Sequence, residues 1–388
     1  MPWTERQRAF VQRVGTASLS DLETGTIVVL PSATFPVAEL CKITGIQHYE
    51  ERMLFTALLL RRPQVSLVYL TSLPVDPAVV DYYLRFLPDP EHARERIQLV
   101  FVGDDGPRPL TEKLLDRPDL IERVRGVIGN PQEAHVLPFN VTPAEERFAD
   151  LLDLPVYGPH PDLVPLGSKT GSRRVARQAG VAVLPGSEDL RSLEDVEQAV
   201  QGLRASRPHA EAVVIKLNDG FSGQGNAIVE LRSPLAPLPA SNTTFCASEE
   251  SWPSFAAKIA QGGAVVEELI RPERMASPSV QMRIAPAGTL EVVSTHDQIL
   301  GGPDNQVYLG CRFPADPAYR SAIQEAALAV GEVLAGEGVM GSFGIDFVVV
   351  RHDGGDEVYL SEINLRMGGT THPFWMARLA SGGVYRAA

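Results

Sequence analysis

Three cysteines in 388 residues give this chain no disulfide framework. Cys41, Cys246 and Cys311 are odd in number, far apart and without metal-ligand spacing. They fit a reducing compartment, and each reads as a small buried apolar residue rather than a nucleophile. Long apolar runs are missing as well. No stretch approaches the ~18 uninterrupted apolar residues of a membrane span, and Met1-Pro-Trp-Thr-Glu-Arg-Gln-Arg8 lacks the apolar core of a secretion signal. The expectation is a cytoplasmic protein with no membrane partner. Basic charge is also short: 35 Lys and Arg against 48 Asp and Glu leave a net charge of −13. That is the wrong sign for a nucleic-acid backbone or an anionic bilayer, so no nucleic-acid partner is expected. The three tryptophans form no stacking array. Hydrophobic content of 44% and charged content of 21% are ordinary for a globular protein, and the length suffices for two or three domains with sizeable cores.

What is present concentrates near the C-terminus. Gly341-Ser-Phe-Gly-Ile-Asp346-Phe-Val-Val-Val350 and Glu357-Val-Tyr-Leu-Ser-Glu362-Ile-Asn364-Leu-Arg366 read as strands joined by the turn signal Asp353-Gly-Gly-Asp356. Phe343, Ile345, Phe347 and Val349 make one apolar face, which puts Asp346 on the other. Strict alternation turns Glu362 and Asn364 one way and Ser361 and Ile363 the opposite way. Paired as a hairpin, the segments bring together two carboxylates and a carboxamide, hard oxygen ligands that suit Mg²⁺. Alone, the pattern is equally an ordinary hairpin with a solvated polar face. Upstream, Ala212-Val-Val-Ile-Lys216-Leu precedes a loop with Gly220, Gly223 and Gly225 and then a strand over 227–231. A lysine at a strand end beside such a loop can offer phosphates an ammonium and several backbone N–H groups. The loop has neither the Walker nor the Rossmann spacing and joins two strands, so an ordinary hairpin loop is the competing reading.

Up to about residue 157, strand candidates (26–30, 65–71, 97–102, 135–139) alternate with helix candidates (49–60, 77–87, 118–127, 143–152). Thr142 with Glu145 three residues on is a capping box for the last helix. This alternation implies a mostly parallel, doubly covered α/β sheet. The turn-rich Leu154-Pro-Val-Tyr-Gly-Pro-His-Pro161 marks a domain boundary, giving domains 1–157 and 158–388. A helix is expected over 168–180, stopped by glycine.

In order, Lys169, Lys216, Ser222-Gly-Gln-Gly225, Val265-Val-Glu-Glu-Leu-Ile270, Asp346, Glu362 and Asn364 resemble the motif series of the ATP-grasp superfamily. Tyr49-Glu-Glu-Arg52, Tyr69-Leu-Thr-Ser72, Leu110-Thr-Glu-Lys-Leu-Leu115, Lys169-Thr-Gly-Ser-Arg-Arg174 and Thr295-His-Asp-Gln298 are further similar to the pheganomycin-type peptide ligases. The resemblance implies a pre-ATP-grasp domain followed by an ATP-grasp module of two α+β subdomains clamping ATP. It implies a ligase that phosphorylates an amino-acid-like carboxylate with ATP and passes the acyl phosphate to an amine or peptide, releasing ADP and phosphate. A phosphotransferase that stops after phosphorylation, and a catalytically silent nucleotide-binding protein, are the alternatives. The implied nucleotide contacts are Lys169, Lys216, Ser222, Gly223, Gln224, Gly225, the hinge residues Glu267, Glu268, Leu269 and Ile270, and Glu273 for a ribose hydroxyl. Asp346, Glu362 and Asn364 are the implied Mg²⁺ ligands. Gly344 occupies the place of an arginine that D-alanine–D-alanine ligases use, which shifts the catalytic role beside Lys216 to Arg366 and Arg283. His296, Gln298 and His372 read as satisfied structural residues. A homodimer is compatible with this reading. The chain ends with Gly383-Val-Tyr-Arg-Ala-Ala388, where the family usually continues, so a shortened member or an incomplete amine-side pocket is expected.

Overall fold

The β-branched runs of the N-terminal half form one parallel sheet. Strands β1 (Thr24–Leu30), β2 (Gln64–Thr71), β3 (Ile97–Phe101) and β4 (His135–Pro138) pair in the order β3-β2-β1-β4. These coordinates are a computed structural model describing residues 5–17, 22–41, 43–219, 225–231, 238, 243–271, 275–301, 307–352, 355–381 and 385. Apolar side chains on both sheet faces are buried, as expected where helices cover a parallel sheet on both sides. The helices Pro118–Val127 and Pro143–Leu152 lie where the pattern places them. Thr142 and Glu145 close the capping box reciprocally, at 2.8 Å from the Thr142 N–H to Oε2 and 3.1 Å from the Ala144 N–H to Oγ1.

The segment expected as a helix over 49–60 is instead a long 3₁₀ helix, Ile46–Arg61. Its anchoring explains the difference. Glu50 is buried and accepts hydrogen bonds from the N–H and hydroxyl of Ser72, while the Tyr69 hydroxyl donates to the Glu50 carbonyl. The buried Lys113 ammonium donates to Ser72 Oγ at 3.1 Å and to the carbonyls of Asp104 and Gly106. Tertiary bonds thus fix the backbone of this segment more strongly than helix propensity does.

Two antiparallel sheets follow. Strands β5 (Gly186–Leu190), β6 (Ala212–Leu217), β7 (Asn226–Glu230), β8 (Thr243–Phe245) and β9 (Ala264–Glu268) run in the order β5-β9-β6-β7-β8. The last sheet holds β10 (Met275–Ala276), β11 (Pro278–Ile284), β12 (Leu290–Gly301), β13 (Val307–Arg312), β14 (Gly341–Val350) and β15 (Glu357–Asn364). Its order is β10-β14-β11-β12-β13, with β15 on β14. The apolar face of β14 packs with the helix Arg320–Gly336 in a core continuous with one face of the N-terminal sheet. Phe55 stacks on Trp375 with 5.9 Å between ring centroids, and the Tyr83 hydroxyl lies 3.0 Å from His372 Nε2, joining the 46–61 helix and its neighbour to the C-terminal helix Thr371–Ser381. All three cysteines are free, and Cys41 is exposed rather than buried because it caps the short surface helix Val37–Leu40. Among the described residues no helix is long and apolar enough to cross a membrane.

The Glu50 carboxyl generates a pH prediction. Burial pushes it up from 4.5 to about 7, against the opposing hydrogen bonds of Ser72 and the charge of Lys113. Between those values the folded chain holds the proton and the unfolded chain does not, so this group's contribution to stability falls as pH rises through that window. The loss is about 3 kcal/mol at most. Thermal denaturation from pH 5 to 8 should therefore show a flatter pH dependence in Glu50→Gln than in the wild type, and an identical slope would refute the assignment.

Candidate active site

The hairpin of β14 and β15 sets the centre of the site. Asp346 lies directly opposite Glu362 and Gly344 opposite Asn364 in the antiparallel register. Asn364 Nδ2 donates to Asp346 Oδ2 at 3.1 Å. The pairing shifts by one residue beyond Asp346, so Phe347 faces Leu360 and Ser361 is the extra residue of a bulge. Ser361 consequently lines the cavity beside Glu362 instead of facing away, as strict alternation had placed it. Burial and the neighbouring Glu362 push the Asp346 carboxyl up to about 6, against the hydrogen bond from Ser279 and the charges of Lys169 and Arg366.

Lys169 answers part of that negative charge through an ion pair with Glu362. It opens the helix Lys169–Gln178, whose N-cap Ser168 accepts from the Gly171 N–H at 3.0 Å. Ser172 Oγ accepts the Ile363 N–H at 2.9 Å and Asn218 Oδ1 accepts the Thr170 N–H at 3.0 Å, tying the helix to β15 and to the end of β6. Gly171 is needed for this docking, because a Cβ there would sit 2.1 Å from the Pro165 carbonyl oxygen.

Lys216, on β6, pairs with Glu267 at 2.7 Å and reaches Ser361 Oγ at 3.4 Å. Glu267 is 1% exposed and also meets Arg173 at 2.5 Å, while Arg173 bonds Glu188 at 2.9 Å. Burial works to raise the Glu267 carboxyl, yet the charges of Lys216 and Arg173 outweigh it and hold it below its ordinary value. Of the two hinge glutamates, Glu268 lines the cavity and pairs with Arg207 at 3.0 Å; Glu267 stands behind Lys216. Leu269, Ile270, Leu184, Val214 and Met275 give the same cavity part of its apolar lining. The Gly225 carbonyl accepts the Leu217 N–H at 2.9 Å and closes the base of the glycine-rich loop. Ser222, Gly223, Gln224 and Glu273 lie outside the described residues.

Arg366 follows β15 into the same cavity. It donates to Asn364 Oδ1 at 2.9 Å and to the Met367 carbonyl at 3.1 Å, and its guanidinium lies 5.7 Å and 5.9 Å from the ring centres of Phe35 and Phe139. Arg283 does not join it. Arg283 shares a strand face with Ser279 but stands four residues further along β11, about 13 Å at strand rise. There it bonds Glu291 at 2.8 Å, the Ala17 carbonyl at 3.0 Å and Tyr157 at 3.2 Å.

The cavity, about 410 Å³, has walls that sequence patterns did not reveal. Phe35, Leu40, Ile46, Tyr49 and Arg52 come from the N-terminal half. His296, Gln298 and Leu300, alternate residues of β12, line another side. His296 is buried and its Nδ1 has no hydrogen-bond partner, whereas His372 is satisfied by Tyr83. Burial pushes the His296 imidazole down to about 3, so the ring is neutral. The sequence signal for these walls was present only as short motifs far apart in the chain, Tyr49–Arg52 and Thr295–Gln298.

The chain belongs to the ATP-grasp superfamily, among the pheganomycin-type ligases, and is an ATP-dependent ligase that joins a carboxylate to an amine with formation of ADP. Residues 237–372 match the family described as IQCH-like, ATP-grasp. The L-propargylglycine–L-glutamate ligase of Streptantibioticus cattleyicolor is 33% identical over 365 residues, covering 89% of this chain and 73% of that protein. The IQ motif-containing protein H of Danio rerio is 21% identical over 398 residues, covering 88% of this chain and 37% of its own. The fold is shared with biotin carboxylase from Campylobacter jejuni, with TM-score 0.57, 16% identity and coverage of 94% and 72% of the two chains. It is shared likewise with N5-carboxyaminoimidazole ribonucleotide synthetase in an ADP complex, with TM-score 0.55, 13% identity and coverage of 90% and 72%.

Because Arg173 bridges Glu267 and Glu188, its truncation removes the counter-charge the two share and leaves buried Glu267 with Lys216 alone and Glu188 with Arg177 alone. Arg173→Ala should cost about 3–5 kcal/mol in chemical denaturation. A loss below about 1 kcal/mol would show that this cluster is not what holds Lys216.

Proposed function

We propose that this ligase activates an amino-acid-like carboxylate, working in the cytoplasm, and transfers the acyl group to the amine of an amino acid or peptide. In this reading residues 1–157 are the pre-ATP-grasp domain and residues 158–388 the ATP-grasp module. Supporting it above all is the register that sets Asp346 against Glu362 with Asn364 beside them, in one cavity with Lys169, Lys216 and Arg366. Asp346, Glu362 and Asn364 are hard oxygen donors, and the elevated Asp346 carboxyl beside Glu362 marks a place where a divalent cation relieves repulsion. Asp346, Glu362 and Asn364 would hold Mg²⁺, which supplies charge neutralisation to phosphate oxygens.

The chain's own groups do the rest. Lys216 and Lys169 are held by ion pairs to Glu267 and Glu362 and are positioned to neutralise phosphate charge. The apolar lining from Leu184, Val214, Leu269 and Ile270 suits a flat apolar base, with Glu268 in the same cavity for an exocyclic amine. The substrate carboxylate attacks the γ-phosphorus of ATP, an O–P bond forms, and ADP leaves with the bridging oxygen. The amine nitrogen then attacks the acyl carbon, the C–N bond forms, phosphate departs and the amine's proton passes to solvent. Arg366, braced by Asn364 and two aromatic rings, presents its fork to the acyl-phosphate oxygens. A homodimer is compatible with this function and is read directly by analytical ultracentrifugation.

With ¹⁸O in the substrate carboxylate, label should appear in the released phosphate and ADP should be the nucleotide product. Stoichiometric AMP would overturn the mechanism, and ADP release independent of any amine would mark a phosphotransferase. Glu362→Gln and Lys216→Ala should each lower Mg²⁺-dependent ADP formation by about 10²–10³-fold while circular dichroism stays unchanged. Near-normal turnover at saturating Mg²⁺ would remove Glu362 from the site.

A further inference from the structure

Arg52 is the cavity-lining cation that the mechanism leaves unused. Lys169 and Lys216 are paired with Glu362 and Glu267, and Arg366 is bonded to Asn364. Arg52 has no carboxylate partner among the described residues; its guanidinium carbon sits 3.5 Å from the ring centre of Tyr49, one turn earlier on the same helix. Stacking covers one flat side of the group and leaves its five donors at the edge, directed in a plane that matches a carboxylate. Its charge reaches the neighbouring His372, whose imidazole is pushed down first by burial and then by Arg52.

The position is rigidly built. Two residues before Arg52, Glu50 is locked to Ser72 in the buried network of the parallel sheet. Three residues after it, Phe55 stacks on Trp375 of the C-terminal helix. Phe35, Leu40 and Ile46 give the neighbouring wall an apolar surface. A preorganised guanidinium beside an apolar wall, in the cavity that holds the acylation machinery, is suited to an amino acid's carboxylate next to its side chain.

We infer that Arg52 binds a substrate carboxylate that the reaction does not activate. This rests on the ligase reading and adds a requirement to it: one of the two substrates carries a free carboxylate into the product. That carboxylate belongs either to a dicarboxylic acyl donor or to an amino acid or peptide acceptor. Arg52 is then a specificity-determining residue contributed by the N-terminal domain, and it takes no part in phosphoryl transfer.

The test compares the wild type, Arg52→Ala and Arg52→Lys as full chains with MgATP. In the donor arm L-glutamate is set against its two monoamides, L-glutamine and L-isoglutamine, and acyl phosphate is trapped by hydroxylamine as hydroxamate. In the acceptor arm L-propargylglycine is set against its carboxamide, and amide product is measured. Arg52→Ala should raise KM for the free acid about tenfold or more in one arm. The carboxamide's KM and the KM for ATP should stay within about twofold, and Arg52→Lys should recover part of the loss; the affected arm identifies the source of the carboxylate. Equal effects on acid and amide in both arms, no effect in either, or a raised KM for ATP would overturn the inference. Absence of ATP-dependent hydroxamate in the wild type would instead speak against the ligase reading, so the two failures have different signatures.

Discussion

Everything at the candidate site turns on two carboxylates held face to face. Directly opposed residues in an antiparallel pair have Cβ atoms about 4.5–5.5 Å apart, and the register of β14 and β15 gives that relation to Asp346 and Glu362. Burial of Asp346, with the Glu362 charge so close, disfavours the ionisation of Asp346. Lys169 moderates the repulsion from one side, and Asp346 still carries an elevated affinity for its proton. The apolar face of β14, buried in the core it shares with the Arg320–Gly336 helix, prevents the strands from sliding to ease the strain. Core packing therefore enforces an electrostatic arrangement that would not persist on a free hairpin.

The lysines depend on a second buried arrangement. Glu188, Arg173, Glu267 and Lys216 form an alternating chain of charge from a partly buried carboxylate to the cavity wall. Buried ion pairs add little net stability, because desolvation offsets most of the attraction. Their contribution here is placement. A lysine has four rotatable bonds, and a buried carboxylate behind its ammonium restricts it to one direction.

Much of this was legible in the sequence because it is local. The alternation of Phe343, Ile345, Phe347 and Val349 assigned the faces of β14, and the capping box at Thr142 fixed a helix start to the residue. What was not legible depends on distance along the chain. Arg283 has the correct strand face, but its height on β11 is set by where the sheet meets Ala17 and Tyr157 of the N-terminal half, which no local pattern encodes. Glu267 and Glu268 are adjacent and chemically alike, yet Glu267 is a buried brace behind Lys216 and Glu268 lines the cavity. His296 looked satisfied because most buried histidines are; its orphan nitrogen appears only once β12 is placed beside Phe313. The 46–61 segment has helical periodicity, and only the remote partners of Glu50 show why it winds more tightly.

The bulge at Ser361 has a consequence for how this architecture tolerates change in length. Leu360 and Glu362 each hold a regular partner across the hairpin, and the residue between them has none. A chain lacking position 361 would keep every later pairing, with Leu360 still in the core and Glu362 and Asn364 still toward the cavity. Removal of a residue between Glu362 and Asn364 would turn the carboxamide into the apolar interior. Divergent relatives can thus drift by one in the spacing from the first acidic residue to the second, while the Glu-x-Asn interval stays fixed by the pleat.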